Sequence, residues 1–333
     1  MSGVDRLATV VGGVDLRRPV LLAAGTAGYL DEMGEVLDLS SLGGVVTKSI
    51  TLHPREGNAT WRILEAGVGM LNAIGLANVG LDHFLEHIAP RIAGAPCRVI
   101  ASVAGFAVEE YVRLAAAMDD IPGLAAVELN VSCPNVHAGT EFGADARLLR
   151  DLIAAVRPCV ARLPLWVKLG PVPLAAPGGT MVDLARAAIE GGGKPGSGGP
   201  GGGPGGRPGA DALTLCNTFP AMAIDVRSRR PRLANNSGGL SGPGIHPIVV
   251  RLVHEVHRGL ARDLGVAIVA AGGVTTWASA AEFVLAGASA VQIGTGNFAD
   301  PGIPARVVRG LDRWVKRQGA ANLAELVGKV ERY

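Results

Sequence analysis

Eight short apolar runs, separated by stretches of helical periodicity, limit the folds open to this chain more than any other feature. They are PVLLAAG (19–25), GGVVTKS (43–49), CRVIASVAG (97–105), AAVELNVS (125–132), LWVKLG (165–170), ALTLCNT (212–218), AIVAAGG (267–273) and AVQIGTG (290–296). Unbroken apolar runs of this length fit strands buried on both faces, as a parallel sheet requires. Between them, 108–118, 146–160, 246–264 and 277–287 carry apolar residues at helical spacing. Eight strands alternating with helices predict an α/β architecture, the (β/α)8 TIM barrel. A doubly wound sheet fits less well, because it usually has six strands and no G-x-G-x-x-G follows the first run. The 333 residues suit a single domain over 1–333, since one such barrel needs about 250.

Composition narrows the function. Hydrophobic residues make up 48% of the chain, ample for a large core, whereas 31 Lys and Arg against 29 Asp and Glu leave no basic surplus for nucleic acid. The four cysteines, Cys97, Cys133, Cys159 and Cys216, form no C-x-x-C pair. Neither a zinc site, an iron–sulfur cluster nor a disulfide framework is therefore expected in this chain. The sequence holds no 18-residue apolar stretch and its N-terminus has no signal-peptide core, which predicts a cytoplasmic protein without a membrane anchor.

A barrel brings the C-terminal ends of its strands to one mouth, where the chemistry of such folds sits. Here those ends read Ala24-Gly25, Thr47-Lys48-Ser49, Ser102, Asn130 with Cys133, Lys168, Asn217-Thr218, Gly272-Gly273 and Gly294-Thr295. With no His or carboxylate among them, a metal triad and a carboxylate dyad both drop out. The glycine pairs after the seventh and eighth runs suit phosphate, whose oxygens accept from exposed backbone N–H groups. Lys48 and Lys168 lie in strands without a solvated face, so each must meet an anion or lose its charge. Together they point to a ligand carrying delocalised negative charge as well as a phosphate. Cys133 stands where a strand gives way to a Gly-rich loop, a placement that favours chemistry over packing.

Longer stretches carry a resemblance: VVTKSITLHPREGN (45–58), GMLNAIGLANVGL (69–81), ELNVSCPNVHAGTEFG (128–143), WVKLGP (166–171), LCNT (215–218), GGLSGPGIHP (238–247), AAGGV (270–274) and AGASAVQIGTGNFADP (286–301). In this order they resemble the dihydroorotate dehydrogenases, FMN enzymes of pyrimidine biosynthesis. Cys133 and its loop look like the class 1B form. The resemblance implies one FMN per chain, NAD⁺ as acceptor, and a homodimer within a heterotetramer. The partner there is an iron–sulfur flavoprotein carrying FAD and a [2Fe-2S] centre. A fumarate-linked class 1A enzyme, or another FMN-dependent dihydropyrimidine oxidoreductase, is the alternative.

The same resemblance assigns roles. Cys133 is the general base for substrate oxidation. Lys48, Asn72, Ala73, Ile74, Gly75, Leu76, Asn130, Asn217 and Thr218 hold the substrate. FMN is met by Ala24, Lys48, Ser49, Ser102, Asn130, Lys168, Cys216, Gly242, Gly272, Gly273, Gly294 and Thr295. Ala24 and Ser102 depart from the residues the family commonly has there, and Phe219-Pro220 occupies a stretch expected to be smaller and more flexible.

One segment breaks the rhythm. Residues 191–209, GGGKPGSGGPGGGPGGRPG, hold 12 Gly and 4 Pro in 19 positions and cannot bury a core. They precede the sixth strand and so emerge at the N-terminal face, away from the chemistry; a flexible, tolerated insertion is the expectation. Replacing them with a short turn should leave folding and turnover unchanged. Lost turnover in a folded variant would make the segment functional.

Overall fold

The computed structural model describes residues 5–30, 32–132, 142–171, 179–191 and 209–331. Eight strands form a closed parallel barrel: β1 Val20–Leu22, β2 Gly44–Val46, β3 Arg98–Val103, β4 Ala126–Asn130, β5 Leu165–Leu169, β6 Ala212–Leu215, β7 Ala267–Ala271 and β8 Ala290–Ile293. Each pairs with the next in chain order, and β8 closes on β1 with Gln292 opposite Leu21. All eight fall inside the predicted runs. Most runs outlast their strands, because their polar tails (Thr47–Ser49, Asn217–Thr218, Gly272–Gly273, Gly294–Thr295) leave the ladder at the mouth.

Among the described residues, six long helices pack outside: α1 Val108–Asp119, α2 Ala146–Val156, α3 Met181–Glu190, α4 His246–Val256, α5 Trp277–Ala286 and α6 Ile303–Arg317. Local chemistry sets their ends. Asp145 caps α2 by accepting from the N–H groups of Arg147 and Leu148, at 2.7 and 3.2 Å. Thr180 and Asp183 form a capping box at the start of α3. The predicted helix over 146–160 stops at Val156 and tightens into a 3₁₀ turn, Arg157–Cys159. Pro158 is the reason, since it lacks an N–H and its ring collides with the preceding turn. Among the described residues no helix is long and apolar enough to cross a membrane.

Two apolar layers hold this together. The outward strand face packs on the helices through residues such as Val99, Leu129, Val167 and Ile268 against Leu114, Leu152, Leu184 and Val253. The inward face contributes one residue from each strand to a second cluster: Leu21, Val46, Ile100, Ala126, Trp166, Ala212, Val269 and Ala290. A hairpin of Thr9–Val11 and Val14–Leu16 closes the bottom, adding Val11, Val14 and Leu16 to that cluster. Full burial of a Val, Leu or Ile side chain is worth roughly 1.5–3 kcal/mol, so the plug makes the N-terminal half of the barrel its stable floor.

The glycine-rich segment leaves and rejoins the chain at this stable end. Gly191 donates to Ala187 O at 3.0 Å and Gly209 to Ile189 O at 2.7 Å, so both flanks meet the last turn of α3. Residues 192–208 lie outside the described residues. Just beyond, Asp211 accepts from Arg157 Nη1 at 2.9 Å and from the Leu165 N–H at 2.7 Å. Arg157 is fully buried and also donates to the carbonyls of Val160 and Leu163. The ion pair thus joins the entry to β6 to the end of α2 and the start of β5. Removing one partner of a buried pair strands the other charge, at a cost of about 3–5 kcal/mol. Asp211→Ala should lower unfolding free energy by that order in denaturant titration; a loss below about 1 kcal/mol would show that the pair does not anchor this corner.

Candidate active site

Side chains alternate across a strand, so the residues two places beyond the apolar plug also face inward. They are Ser102, Glu128, Lys168, Thr214, Ala271 and Gln292 within their strands, continued by Ala23 and Lys48 just past the ends of theirs, both on the cavity wall. Within two residues, at six of the eight positions, the barrel interior changes from hydrocarbon to a ring of polar side chains; Ala23 and Ala271 stay apolar. Part of the ring is self-bonded. Thr214 Oγ1 donates to Glu128 Oε2 at 2.7 Å and Gln292 Nε2 donates to the same oxygen at 2.8 Å. Ser102 Oγ meets Ser49 Oγ at 2.9 Å. Above it, Asn217 Nδ2 donates to Asn130 Oδ1 at 3.2 Å, and the Asn130 carbonyl accepts from Tyr111 OH at 2.7 Å.

A separate antiparallel sheet, absent from the predicted strands, stands over the mouth. Its order is Phe219–Ala221, Gly238–Ser241, Met70–Asn72, Ile63–Glu65. Pro220 fits because Phe219–Ala221 is an edge strand, where no N–H is owed to a further neighbour. A side chain at Gly239 would collide with Thr218 Oγ1, so glycine there lets the sheet close on the strand end. Leu76, just past this sheet, holds the left-handed conformation at φ 56°, with its carbonyl accepting from Asn78 Nδ2 at 2.7 Å. Such a conformation in a branched residue is costly and persists only where surrounding contacts impose it.

Between ring and sheet lies a cavity of about 1270 Å³, beyond the roughly 300–1,000 Å³ of a pocket for one drug-sized ligand. Ala24, Lys48, Ser49, Asn72, Ala73, Ile74, Gly75, Leu76, Asn130, Lys168, Cys216, Asn217, Thr218, Gly242, Gly272, Gly273, Gly294 and Thr295 all line it. Ser102 does not. It is fully buried behind Ser49, because its backbone still belongs to β3 and its hydroxyl is turned to that neighbour. Cys133 lies outside the described residues; its neighbour Ser132 lines the cavity.

Other lining residues were not singled out from sequence. Arg55, Asn58 and Glu65 enter from the mouth sheet and the segment before it, and Phe106 from the loop after β3. Arg55 lies 4.7 Å over the Phe106 ring. These positions belong to segments without strand or helix periodicity, so nothing in the pattern pointed at the mouth. Glu128 was visible inside the fourth run, as a carboxylate in phase with Lys168, but it reads as a strand residue until the inward face is known.

Lys48, Arg55 and Lys168 face a single lining carboxylate, Glu65, among the described residues. The wall therefore favours an anion. Lys168 is only 7% exposed, and no acidic side chain among the described residues forms an ion pair with it. Lys48 is half-buried; burial, and then the Arg62 charge, pull its pKa below the ordinary lysine value. Burial pushes the Cys216 thiol up to about 12, against the opposing pull of the Lys168 charge, which keeps it a neutral wall group. Since folding lowers the Lys48 pKa, the unfolded chain binds more protons in the alkaline window between the two values. In the ligand-free protein this lysine therefore opposes folding. Lys48→Met should raise the midpoint of ligand-free unfolding near neutral pH, by on the order of 1 kcal/mol or less, while weakening anion binding at the mouth. A lowered midpoint would show that Lys48 is stabilising as it stands.

Comparison with known proteins agrees with this geometry. The family model described as dihydroorotate dehydrogenase matches residues 6–187 and 207–315, interrupted only around the glycine-rich segment. The chain is 41% identical, over 98% of both proteins, to the dihydroorotate dehydrogenase B (NAD(+)) catalytic subunit of Geobacter sulfurreducens. It is 40% identical to the protein of that name from Desulforudis audaxviator, again over 98% of both. For its counterpart in Bacteroides thetaiotaomicron the identity is 38%, over 98% of this chain and 99% of the relative. A closed eight-stranded barrel with a cationic, amide-rich mouth, matched end to end by these relatives, belongs to the dihydroorotate dehydrogenase family.

Proposed function

We propose that this chain oxidises dihydroorotate to orotate at the mouth of its barrel, as the NAD⁺-linked catalytic subunit of a class 1B enzyme of pyrimidine biosynthesis. The observation that carries the reading is the buried Lys168, without an acidic partner among the described residues, at the floor of a cavity ringed by Asn72, Asn130 and Asn217. Dihydroorotate dehydrogenases in general use FMN. The residues here suit that group: Gly242, Gly272, Gly273 and Gly294 leave backbone accessible to a phosphate, and two lysines face the space for an electron-rich ring.

FMN supplies the acceptor for the hydride that leaves the substrate ring. The protein's part is binding, proton removal and charge. Each Asn offers one donor and one acceptor to an imide edge, so a few of them orient a pyrimidine. Lys48 pairs with the substrate carboxylate. Lys168 supplies a fixed positive charge at the cavity floor, ready to offset the negative charge that reduction creates. Cys133 takes the proton. Only its thiolate can do so, and a free thiol has a pKa of about 8.5, so turnover rises with pH until that group has titrated. Cys216 does not compete, being held as a thiol by its burial.

The whole chain is proposed to act as one cytoplasmic FMN-binding unit, with 191–209 as an excursion from it. Electrons then pass to an iron–sulfur flavoprotein that carries FAD and a [2Fe-2S] centre, in a heterotetramer built on a dimer of this chain. Exposed apolar side chains support a partner: Trp61, Val68, Met222, Ile224 and Val226 are 53–85% exposed, all on or beside the mouth sheet. Trp61 and Ala223 accept backbone hydrogen bonds from Ala234 and Arg232, which puts the two groups on neighbouring segments.

The test is an acceptor panel on the FMN-loaded chain, alone and with an iron–sulfur flavoprotein partner. NAD⁺ reduction should require the partner; fumarate reduction by the chain alone would assign it to the other soluble class. A positioned base is worth roughly 10²–10⁴ in rate, so Cys133→Ala should slow flavin reduction by dihydroorotate by that factor. An unchanged rate would remove Cys133 from the reaction.

A further inference from the structure

His246, the first residue of α4, lies outside the cavity wall and has no role in the binding assigned above. Its side chain is 12% exposed and its ring sits edge-on to Phe283, centroids 4.7 Å apart. Nδ1 lies 2.9 Å from the carbonyl oxygen of Gly272, and Nε2 lies 2.9 Å from Glu282 Oε2. The Gly272 carbonyl can only accept, so the ring carries a proton on Nδ1. His246 therefore ties together three elements: the loop after β6 that precedes it, the end of β7, and α5.

The point it grips is the peptide that the proposed phosphate site depends on. Gly272 and Gly273 line the cavity, while His246 lies behind them. In a trans peptide the C=O and the following N–H point in opposite directions. Anchoring the Gly272 carbonyl on His246 therefore turns the Gly273 N–H the other way, towards the cavity. No acceptor among the described residues takes that N–H. Gly273 has φ +68°, and a Cβ there would stand 2.6 Å from Gly242 O and 2.9 Å from His246 Cβ. The two glycine loops are thus packed against each other with the imidazole as their buttress. Thr295 Oγ1, donating to Ser241 Oγ at 2.6 Å, links the same region across the cavity's edge.

We propose that His246 is a positioning residue for the anionic end of the flavin nucleotide: it fixes the Gly272–Gly273 peptide so that its N–H meets the phosphate. The assignment rests on the reading that this cavity holds FMN. It predicts an effect confined to ligands that carry the phosphate.

The experiment measures equilibrium binding of FMN and of riboflavin, by flavin fluorescence, to the flavin-stripped chain and to three variants. His246→Asn places an amide donor where Nδ1 was; His246→Gln reaches instead towards Glu282. His246→Leu keeps the packing on Phe283 and makes neither bond. A hydrogen bond to a charged ligand is worth about 1.5–3 kcal/mol, or roughly ten- to a hundredfold in affinity. His246→Gln and His246→Leu should each lose about tenfold or more for FMN and keep riboflavin affinity. His246→Asn should stay within about threefold of the parent for both ligands, a difference under ~0.7 kcal/mol.

An unchanged FMN preference in whichever of the Gln and Leu variants folds would overturn the proposal. So would an equal loss for both flavins, or a loss in the Asn variant as large as in the others. A parent chain that binds FMN no better than riboflavin would instead sink the phosphate reading on which the proposal stands.

Discussion

A closed eight-stranded barrel has an interior only wide enough for side chains, so whatever chemistry it performs must be arranged along the strands. Here the arrangement is a change of polarity within a single period-two step. Leu21, Val46, Ile100, Ala126, Trp166, Ala212, Val269 and Ala290 form a dry plug, and the next inward residues include Lys48, Ser102, Glu128, Lys168, Thr214 and Gln292. Because register fixes which residues face inward, the same pairings that close the barrel also decide that these groups meet. A slip of one residue would expose the plug to the helices and turn both lysines outward.

The division separates stability from function along one axis. The floor has the hairpin, the plug and the Arg157–Asp211 pair, with the glycine-rich segment attached beside them. The mouth has a buried lysine and a half-buried one, a left-handed Leu76 and a second sheet held close through glycines. Charges and unusual backbone are concentrated where ligand binding can offset their cost. The Glu128–Thr214–Gln292 cluster lies at the junction of the two zones. It satisfies one oxygen of a fully buried carboxylate from two strands, while Glu128 Oε1 and Gln292 Oε1 take no donor among the described residues.

Much of this was written in the sequence, for physical reasons. Parallel strands buried on both faces must be continuously apolar, so all eight showed as runs, and their polar tails marked the mouth. Lys48 and Lys168 stood out because a charge inside such a run has no bland explanation. The mouth sheet did not show: its strands are three or four residues long and partly exposed, with neither alternation nor a turn signature. Ser102 lies behind Ser49 rather than on the cavity wall, and spacing along a strand cannot tell a wall residue from one turned to a neighbour's hydroxyl. The His246 grip was invisible for a similar reason, because its partners, Gly272 and Glu282, are 26 and 36 residues away.

The most direct measurement is anaerobic addition of dihydroorotate to the isolated chain loaded with FMN, in the absence of NAD⁺ and of any partner. We expect the absorbance of the oxidised flavin to be lost in proportion to substrate added, one flavin per chain. A flavin that binds yet keeps its oxidised spectrum in excess dihydroorotate would contradict the assignment of this cavity as the place where substrate and flavin meet.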